Sequence, residues 1–268
     1  MNEDQNTPIL SRKHHERESV FTAENLLREA RRQKSLAAER VPAICVLDPD
    51  GDILQNLIES RRAKPAANWA CYHTKLYTFD DEGIRLGIVA HVVGASFAVL
   101  VAEELFAAGC ELLINITSAG QITQLQPPPY FVLIERALRD EGTSYHYLPP
   151  SDYSEIEEQN LGVFAEAFAD FTPPVHRGAT WTTDAPFRET VEAIQYAREQ
   201  GILAVEMEAA ALYAFSQARG KPVVCFAHVT NQMASIEGDF EKGTAGGSYD
   251  ALRVIGVAAR TCLSRKQR

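Results

Sequence analysis

The feature that most limits the fold is a series of short apolar runs, each followed by a helix-like segment. AICVL (43–47), IRLGIVAHVV (84–93), ELLINIT (111–117), ILAVEME (202–208) and PVVCFAHVTN (222–231) show little alternation of polar and apolar residues. Such a run reads as a strand covered on both faces, since a half-exposed strand would alternate with period two. The stretches DILQNLIES, SFAVLVAEELFAAG, NLGVFAEAFADF, FRETVEAIQYAREQG, AAALYAFSQARG and ALRVIGVAARTCL read as helices. Alternation of the two predicts an α/β protein, a three-layer α/β/α sandwich around a central, mostly parallel, mixed sheet. HRGATWTTD (176–184) reads as strand into loop. YFVLIERAL (130–138) fits strand, helix or one then the other, and Pro127, Pro128 and Pro129 bar regular structure just before it. The Gly-rich stretch GDFEKGTAGGSYD (238–250) reads as a flexible loop.

Composition narrows the function. Acidic residues outnumber basic ones 36 to 26, a net charge of −10, which disfavours a nucleic-acid grip. The five cysteines are widely spaced with no CxxC pair, against a zinc site or a disulfide scaffold, so no metal is expected. The polar start has no apolar core of a signal peptide, and the longest stretch nearly free of charge, 87–102, is too short to span a membrane. The chain is read as cytoplasmic, with residues 1–41 an arm and a helix capped by Thr22, and 42–268 a single domain.

In parallel sheets ligands sit beyond the carboxyl ends of the strands. That rule selects DPDGD, VGAS, NITSAG, TTDAPF, VEME and VTN. VEME (205–208) puts Glu206 and Glu208 on either side of Met207. One carboxylate accepts from two vicinal hydroxyls, as in a ribose diol, and a thioether offers a soft apolar face to the sugar. Both acids equally suit the N-terminus of the helix that follows. NITSAG (115–120) and VGAS (93–96) read as turns of small residues whose N–H groups and hydroxyls suit an anion or sugar oxygens, or simply as tight turns. Neither matches a Walker loop or a dinucleotide fingerprint, and no HExxH or GxSxG motif is present.

In this order the pieces resemble the nucleoside phosphorylase and nucleosidase superfamily. GILAVEMEAAALYAFSQARGKPVVCFAHVTN is similar to that family's GxxxVEMEAAxLY block, and VGASFAVLVAEEL with LLINITSAGQI to its GxxSxxxxVEEL and RxGTxG stretches. The resemblance implies a nucleoside phosphorylase-like fold and cleavage of the N-glycosidic bond of a nucleoside. Phosphate is the acceptor in the phosphorylases and water in the nucleosidases. No cofactor is implied beyond phosphate as a co-substrate, and the assembly implied is a homodimer or hexamer. Carried over by position, Met207 and Glu208 match ribose-binding residues and Glu206 the adjacent acid. Ser118, with Thr117 and Asn115, falls in the phosphate or water site. Phe187 lies one residue from a base-stacking aromatic. Asn231 stands where purine-cleaving members carry a catalytic aspartate, and its amide suits uracil, thymine or a 6-oxopurine.

The departures bear on the acceptor. The family's GDPxR loop reads Leu47-Asp48-Pro49-Asp50-Gly51 here, and the arginine of RxGTxG is Asn115. Two guanidinium donors for a dianion are thereby absent. Two like charges about 4 Å apart at an effective dielectric near 20 cost roughly 4 kcal/mol, so a loop carrying Asp48, Asp50 and Asp52 opposes phosphate unless another basic residue compensates. NITSAG also resembles the nucleosidases' NTGSAG, and alignment with their GAMEEEV places Asp52 at the water-activating glutamate, though Asp52 equally suits a helix cap. Phosphorolysis and hydrolysis both stay open, as does a nucleoside-binding protein that kept the ribose site without turnover.

Overall fold

A computed structural model describes residues 7–172, 174–233 and 237–266; the first six residues of the N-terminal arm lie outside it. The chain forms ten strands and seven helices among these residues: α1 (Ala23–Lys34), β1 (Ile44–Asp48), α2 (Asp52–Glu59), β2 (Lys64–Pro65), β3 (Tyr77–Asp81), β4 (Ile84–Ala90), α3 (Ala95–Ala107), β5 (Leu112–Gln121), β6 (Tyr130–Asp140), β7 (Tyr153–Glu155), α4 (Glu158–Ala167), β8 (Val175–Thr183), α5 (Val191–Glu199), β9 (Ile202–Glu206), α6 (Ala209–Arg219), β10 (Val223–Asn231) and α7 (Ser248–Lys266). The apolar runs become the strands they predict. Every residue of β1 and of β10 is buried, as a strand covered on both faces requires. Thr22 caps α1 by accepting from the Asn25 N–H at 3.3 Å, and Leu27 and Ala30 turn inward from that helix to join the main core.

The sheet is mixed, with five parallel and five antiparallel pairings, and the longest ladders, β6 with β8 and β5 with β10, are parallel. YFVLIERAL resolves as strand throughout, because β6 lies between β8 and β10 and pairs with both. Helices α1, α3 and α6 pack together, as do α2, α4 and α7, giving the two helical layers. No helix of the described residues is long and apolar enough to cross a membrane.

Strand β5 organises the molecule. Along one edge it pairs with β10 from Leu113 to Gly120. Along the other, residues Leu112–Asn115 pair with β1, and only Gly120 and Gln121 pair with β9. Residues 116–119 therefore have one edge without a strand, where the sheet changes partner. Beyond that point β5, β10, β6, β8 and β9 close into a ring, while β1, β4, β3 and β2 continue as an open sheet. A crevice at such a switch of strand order is where α/β sheets hold ligands.

This placement corrects one sequence reading. NITSAG is not a turn: residues 115–120 lie within β5, because the ladder to β10 continues through Gly120. A second correction concerns the helix expected from Phe187. The helix begins at Val191, where the Thr190 hydroxyl caps it, and Phe187 sits on a separate short 3-10 turn, Pro186–Arg188.

Candidate active site

The strand-to-helix junction β9–α6 carries Glu206, Met207 and Glu208. Glu206 is 3% exposed, and protein donors fill its carboxylate. Oε2 accepts from the N–H groups of Glu208 (2.7 Å) and Ala209 (2.8 Å), and Oε1 from the hydroxyls of Thr180 (3.1 Å) and Thr182 (2.5 Å). Four donors match the roughly four lone-pair positions of a carboxylate. Glu206 thus ties the first N–H groups of α6 to β8. Met207 is half-buried between the two acids.

Glu208 is 1% exposed and accepts from the Gly94 N–H on Oε1 (2.7 Å) and the Thr117 hydroxyl on Oε2 (2.6 Å). It has fewer strong donors among the described residues than Glu206. Burial, reinforced by the neighbouring Glu206 charge, pushes the Glu208 carboxyl well above the usual carboxylate range. Glu206 is raised too, by burial, although its four donors oppose the shift. The Gly94 turn ahead of α3 is the VGAS turn of the sequence, and its N–H points at this carboxylate.

Adjacent residues on a strand face opposite sides. Thr117 reaches Glu208; Ser118 reaches the other way, to the β1–α2 junction. Its hydroxyl donates to Asp50 Oδ2 at 2.5 Å. The same oxygen takes the Lys242 ammonium at 2.7 Å, and Lys242 also meets Asp52 Oδ2 at 2.5 Å. Partial burial works against the Lys242 ammonium, but hydrogen bonds and charge from Asp50 and Asp52 outweigh it and lift the group above its ordinary value. Asp48 is buried and caps α2, accepting from the Gly51 N–H (3.1 Å) and the Leu54 N–H (2.9 Å). Burial pushes the Asp48 carboxyl up to about 7, with those two N–H groups opposing and the charges of Asp50 and Asp52 adding to the shift. Asp52 is the first residue of α2; Gly51, not Asp52, occupies the cap position.

Lys242 is the residue that the sequence did not reveal. It comes from the stretch read as a flexible loop, which instead folds over the carboxyl end of β5. Gly247 lets it approach: at φ +80 it has an L-disfavoured backbone, and a Cβ there would fall 2.2 Å from His228 Cε1. The Ser248 hydroxyl then bonds the Asp52 carbonyl at 2.9 Å. His228 is in register with Ser118 on the neighbouring strand and stacks on Phe131, with ring centroids 4.5 Å apart. Burial drives its imidazole down to about 4, so the ring is neutral at pH 7.

Three other expected site residues lie apart from these contacts. Asn115 is fully buried, and neither polar atom of its side chain meets a hydrogen-bond partner. Asn231 is 8% exposed at the end of β10 beside Gly120; its Oδ1 accepts from the Met233 N–H (2.9 Å) and its amide donates to the Thr230 hydroxyl (3.2 Å). Phe187 is 99% exposed. On the far side of the β1–α2 loop, the His91 ring fills the space beside Gly51: a Cβ on Gly51, at φ +87, would fall 2.1 Å from His91 Cε1. Next to it opens a cavity of about 290 Å3, lined by Gly51, Ala90, His91, Phe97 and Tyr77 among others. No group of three or more His, Cys, Asp or Glu side chains among the described residues is arranged to hold a metal ion.

The chain thus combines a mixed α/β sheet with buried acids at its strand switch, and comparison with known proteins gives it a family. The family model described as Phosphorylase superfamily matches residues 43–250, and the chain belongs to that superfamily. Guanosine phosphorylase of Halorubrum lacusprofundi is 26% identical over 147 residues, covering 54% of this chain and 61% of that protein, so the match spans about three fifths of the relative's length. Purine nucleoside phosphorylase DeoD-type of Actinobacillus succinogenes is 24% identical over 163 residues, 60% of this chain and 68% of that one. Among solved structures, uridine phosphorylase from Vibrio fischeri ES114 superposes with a TM-score of 0.69 at 20% identity, covering 83% of this chain and 92% of that one. The 5'-methylthioadenosine/S-adenosylhomocysteine nucleosidase from Neisseria meningitidis gives 0.66 at 17% identity, covering 82% and 100%. These two likenesses establish the shared fold.

Proposed function

We propose that this chain breaks the N-glycosidic bond of a nucleoside and passes the sugar to water. The observation that carries the reading is Glu208: a buried carboxyl at the strand switch, held in place by the Gly94 N–H and the Thr117 hydroxyl, with hydrogen-bonding capacity to spare. A vicinal diol, which both donates and accepts, fits that capacity, and Met207 beside it supplies an apolar face for the ribose. In the reaction the C1′–N bond breaks with its electron pair leaving on the base. A water oxygen bonds to C1′, and the proton that water loses balances the charge left on the base. Electron-poor C1′ develops positive charge as the bond breaks, and nearby carboxylates stabilise it.

Two features support water as the acceptor. Gly51 and Asn115 stand where the family's phosphorylases carry arginines. Lys242 faces two carboxylates, so the group of Asp50, Asp52 and Lys242 has a net charge of −1 and repels a dianion. Asp52 is assigned as the base that takes the proton of water, with Lys242 fixing its orientation. Asn231 and Phe187 are assigned to the nucleobase, the amide matching a 6-oxopurine, and guanosine and inosine are the first substrates to try. The exposed Phe187 fits a homo-oligomer in which a second copy covers it. Phosphorolysis is the second reading, favoured by the single fact that Lys242 brings an ammonium to Ser118.

The test is base release from guanosine, inosine, adenosine and uridine, with and without phosphate, followed by chromatography. Free ribose formed without phosphate is the expected result. Release only with phosphate, giving ribose 1-phosphate, would replace water by phosphate in the reading. No release, with a nucleoside-induced rise in Tm, would leave a binding protein.

A further inference from the structure

Ser118 and Lys242 belong to distant parts of the chain, one on the stretch of β5 that lacks a strand on one edge and the other in the loop before α7, yet they converge on one oxygen. Asp50 Oδ2 receives both, the hydroxyl at 2.5 Å and the ammonium at 2.7 Å. A hydroxyl and an ammonium arranged around one oxyanion form a generic oxyanion cradle. Here the oxyanion is the chain's own carboxylate. Its tether keeps it at a high effective concentration, so a free anion in solution competes poorly for the same two donors. Among the described residues Asp50 makes no other side-chain hydrogen bond: the cap of α2 is made by Asp48, and the second contact of Lys242 goes to Asp52.

We propose that Asp50 is a built-in occupant of the anion subsite formed by Ser118 and Lys242, and that it sets the acceptor by excluding inorganic phosphate from that subsite. This rests on the glycosidic-cleavage reading for its consequence in turnover, but not for its consequence in binding. With Asp50 seated, the sugar goes to water. With the carboxylate removed, the cradle takes a phosphate oxygen. A second phosphate oxygen then attacks C1′ as the C1′–N bond breaks, yielding ribose 1-phosphate and the free base, which takes the proton phosphate gives up. The charge change favours the exchange: removing Asp50 leaves Lys242 with a single carboxylate partner, and the local charge rises from −1 to neutral.

The experiment compares the full chain with Asp50→Ala and with the double variant Asp50→Ala/Lys242→Met. Inorganic phosphate is titrated by calorimetry, and base release from the nucleoside panel is followed with and without phosphate. The native protein should give no phosphate-binding heat at millimolar phosphate. Asp50→Ala should bind phosphate and show base release stimulated by it at least ~10-fold, the ratio that 1.4 kcal/mol corresponds to, with ribose 1-phosphate as product. The double variant should lose both. Phosphate binding by the native protein as tight as by Asp50→Ala would overturn the proposal, as would a folded Asp50→Ala with neither binding nor stimulation. Asp50→Gly, which likewise empties the cradle, gives the same readout if the alanine variant does not fold. The two readings fail separately. Phosphate binding gained by Asp50→Ala without base release from any protein keeps the subsite and removes glycosidic cleavage. Base release without any gain in phosphate binding does the reverse.

Discussion

The junctions β1–α2 and β9–α6 are built on the same plan and end up chemically different. Each carries alternate acids where a strand turns into a helix: Asp48, Asp50 and Asp52 in one, Glu206 and Glu208 in the other. In both, the first acid is buried and satisfied by the N–H groups of its own turn and helix start, Asp48 by Gly51 and Leu54, Glu206 by Glu208 and Ala209. The acid or acids that follow differ. Glu208 is buried and meets only neutral donors, whereas Asp50 and Asp52 are part-exposed and share the Lys242 ammonium. Burial makes the distinction. Inside, a counter-ion would itself have to be desolvated, so neutral dipoles hold the carboxyl; at the rim, water lowers that cost and an ion pair forms. The buried acid with spare lone pairs is therefore suited to a neutral polar ligand, and the ion-paired acids to deciding which anions are admitted.

The comparison can be broken most sharply at Glu208. Glu208→Ala should lower kcat/KM for nucleoside cleavage by roughly 30-fold, the loss of two hydrogen bonds at about 1 kcal/mol each. Circular dichroism should show the fold intact, and unchanged turnover would remove Glu208 from the ribose site. Glu206→Ala, two residues earlier, should act on stability instead. It takes the acceptor from two N–H groups at the start of α6 and from two threonine hydroxyls of β8, about 3 kcal/mol, which for a chain of this size lowers Tm by roughly 6–12 °C. A Glu206→Ala variant that melts like the native protein would erase the division of labour between the two glutamates.

A smaller effect separates the buried first acid of β1–α2 from its exposed followers. The folded Asp48 carboxyl lies at about 7, above its ordinary value of 3.8. The folded state thus holds the proton more tightly, and the stabilisation is complete below pH 4 and is lost as pH rises through 7. Thermal melts from pH 4 to 8 should show this loss in the native protein, and the part due to Asp48 should vanish in Asp48→Asn. A variant whose Tm falls with pH as steeply as the native protein's would assign the slope to other buried carboxyls.

How much of this was readable from sequence follows from range along the chain. The strands that read clearly, β1, β4, β5, β9 and β10, are those covered on both faces, where local apolarity mirrors burial. The hairpin of β3 and β4 was missed although it left a signal: Glu82 and Gly83 both have positive φ and form the two-residue loop between Asp81 and Ile84. Glu206 and Glu208 stood out together in VEME, but their spacing could not say which caps a helix and which faces the crevice. That depends on Thr180, Thr182, Gly94 and Thr117, all from other elements. Lys242 left no signal, since its partners lie 190 and 192 residues away and its loop has the composition of a mobile one. Asn115 read as an altered anion-site residue; the structure places it in the buried interior with no partner for its amide.

The His91 ring packed beside Gly51 has a consequence for how such a loop can change over generations. An arginine at position 51 would need a left-handed backbone that L side chains disfavour, and its Cβ would occupy the volume the imidazole fills. The single substitution is therefore strained by the backbone at 51 and requires the exposed His91 ring to swing away.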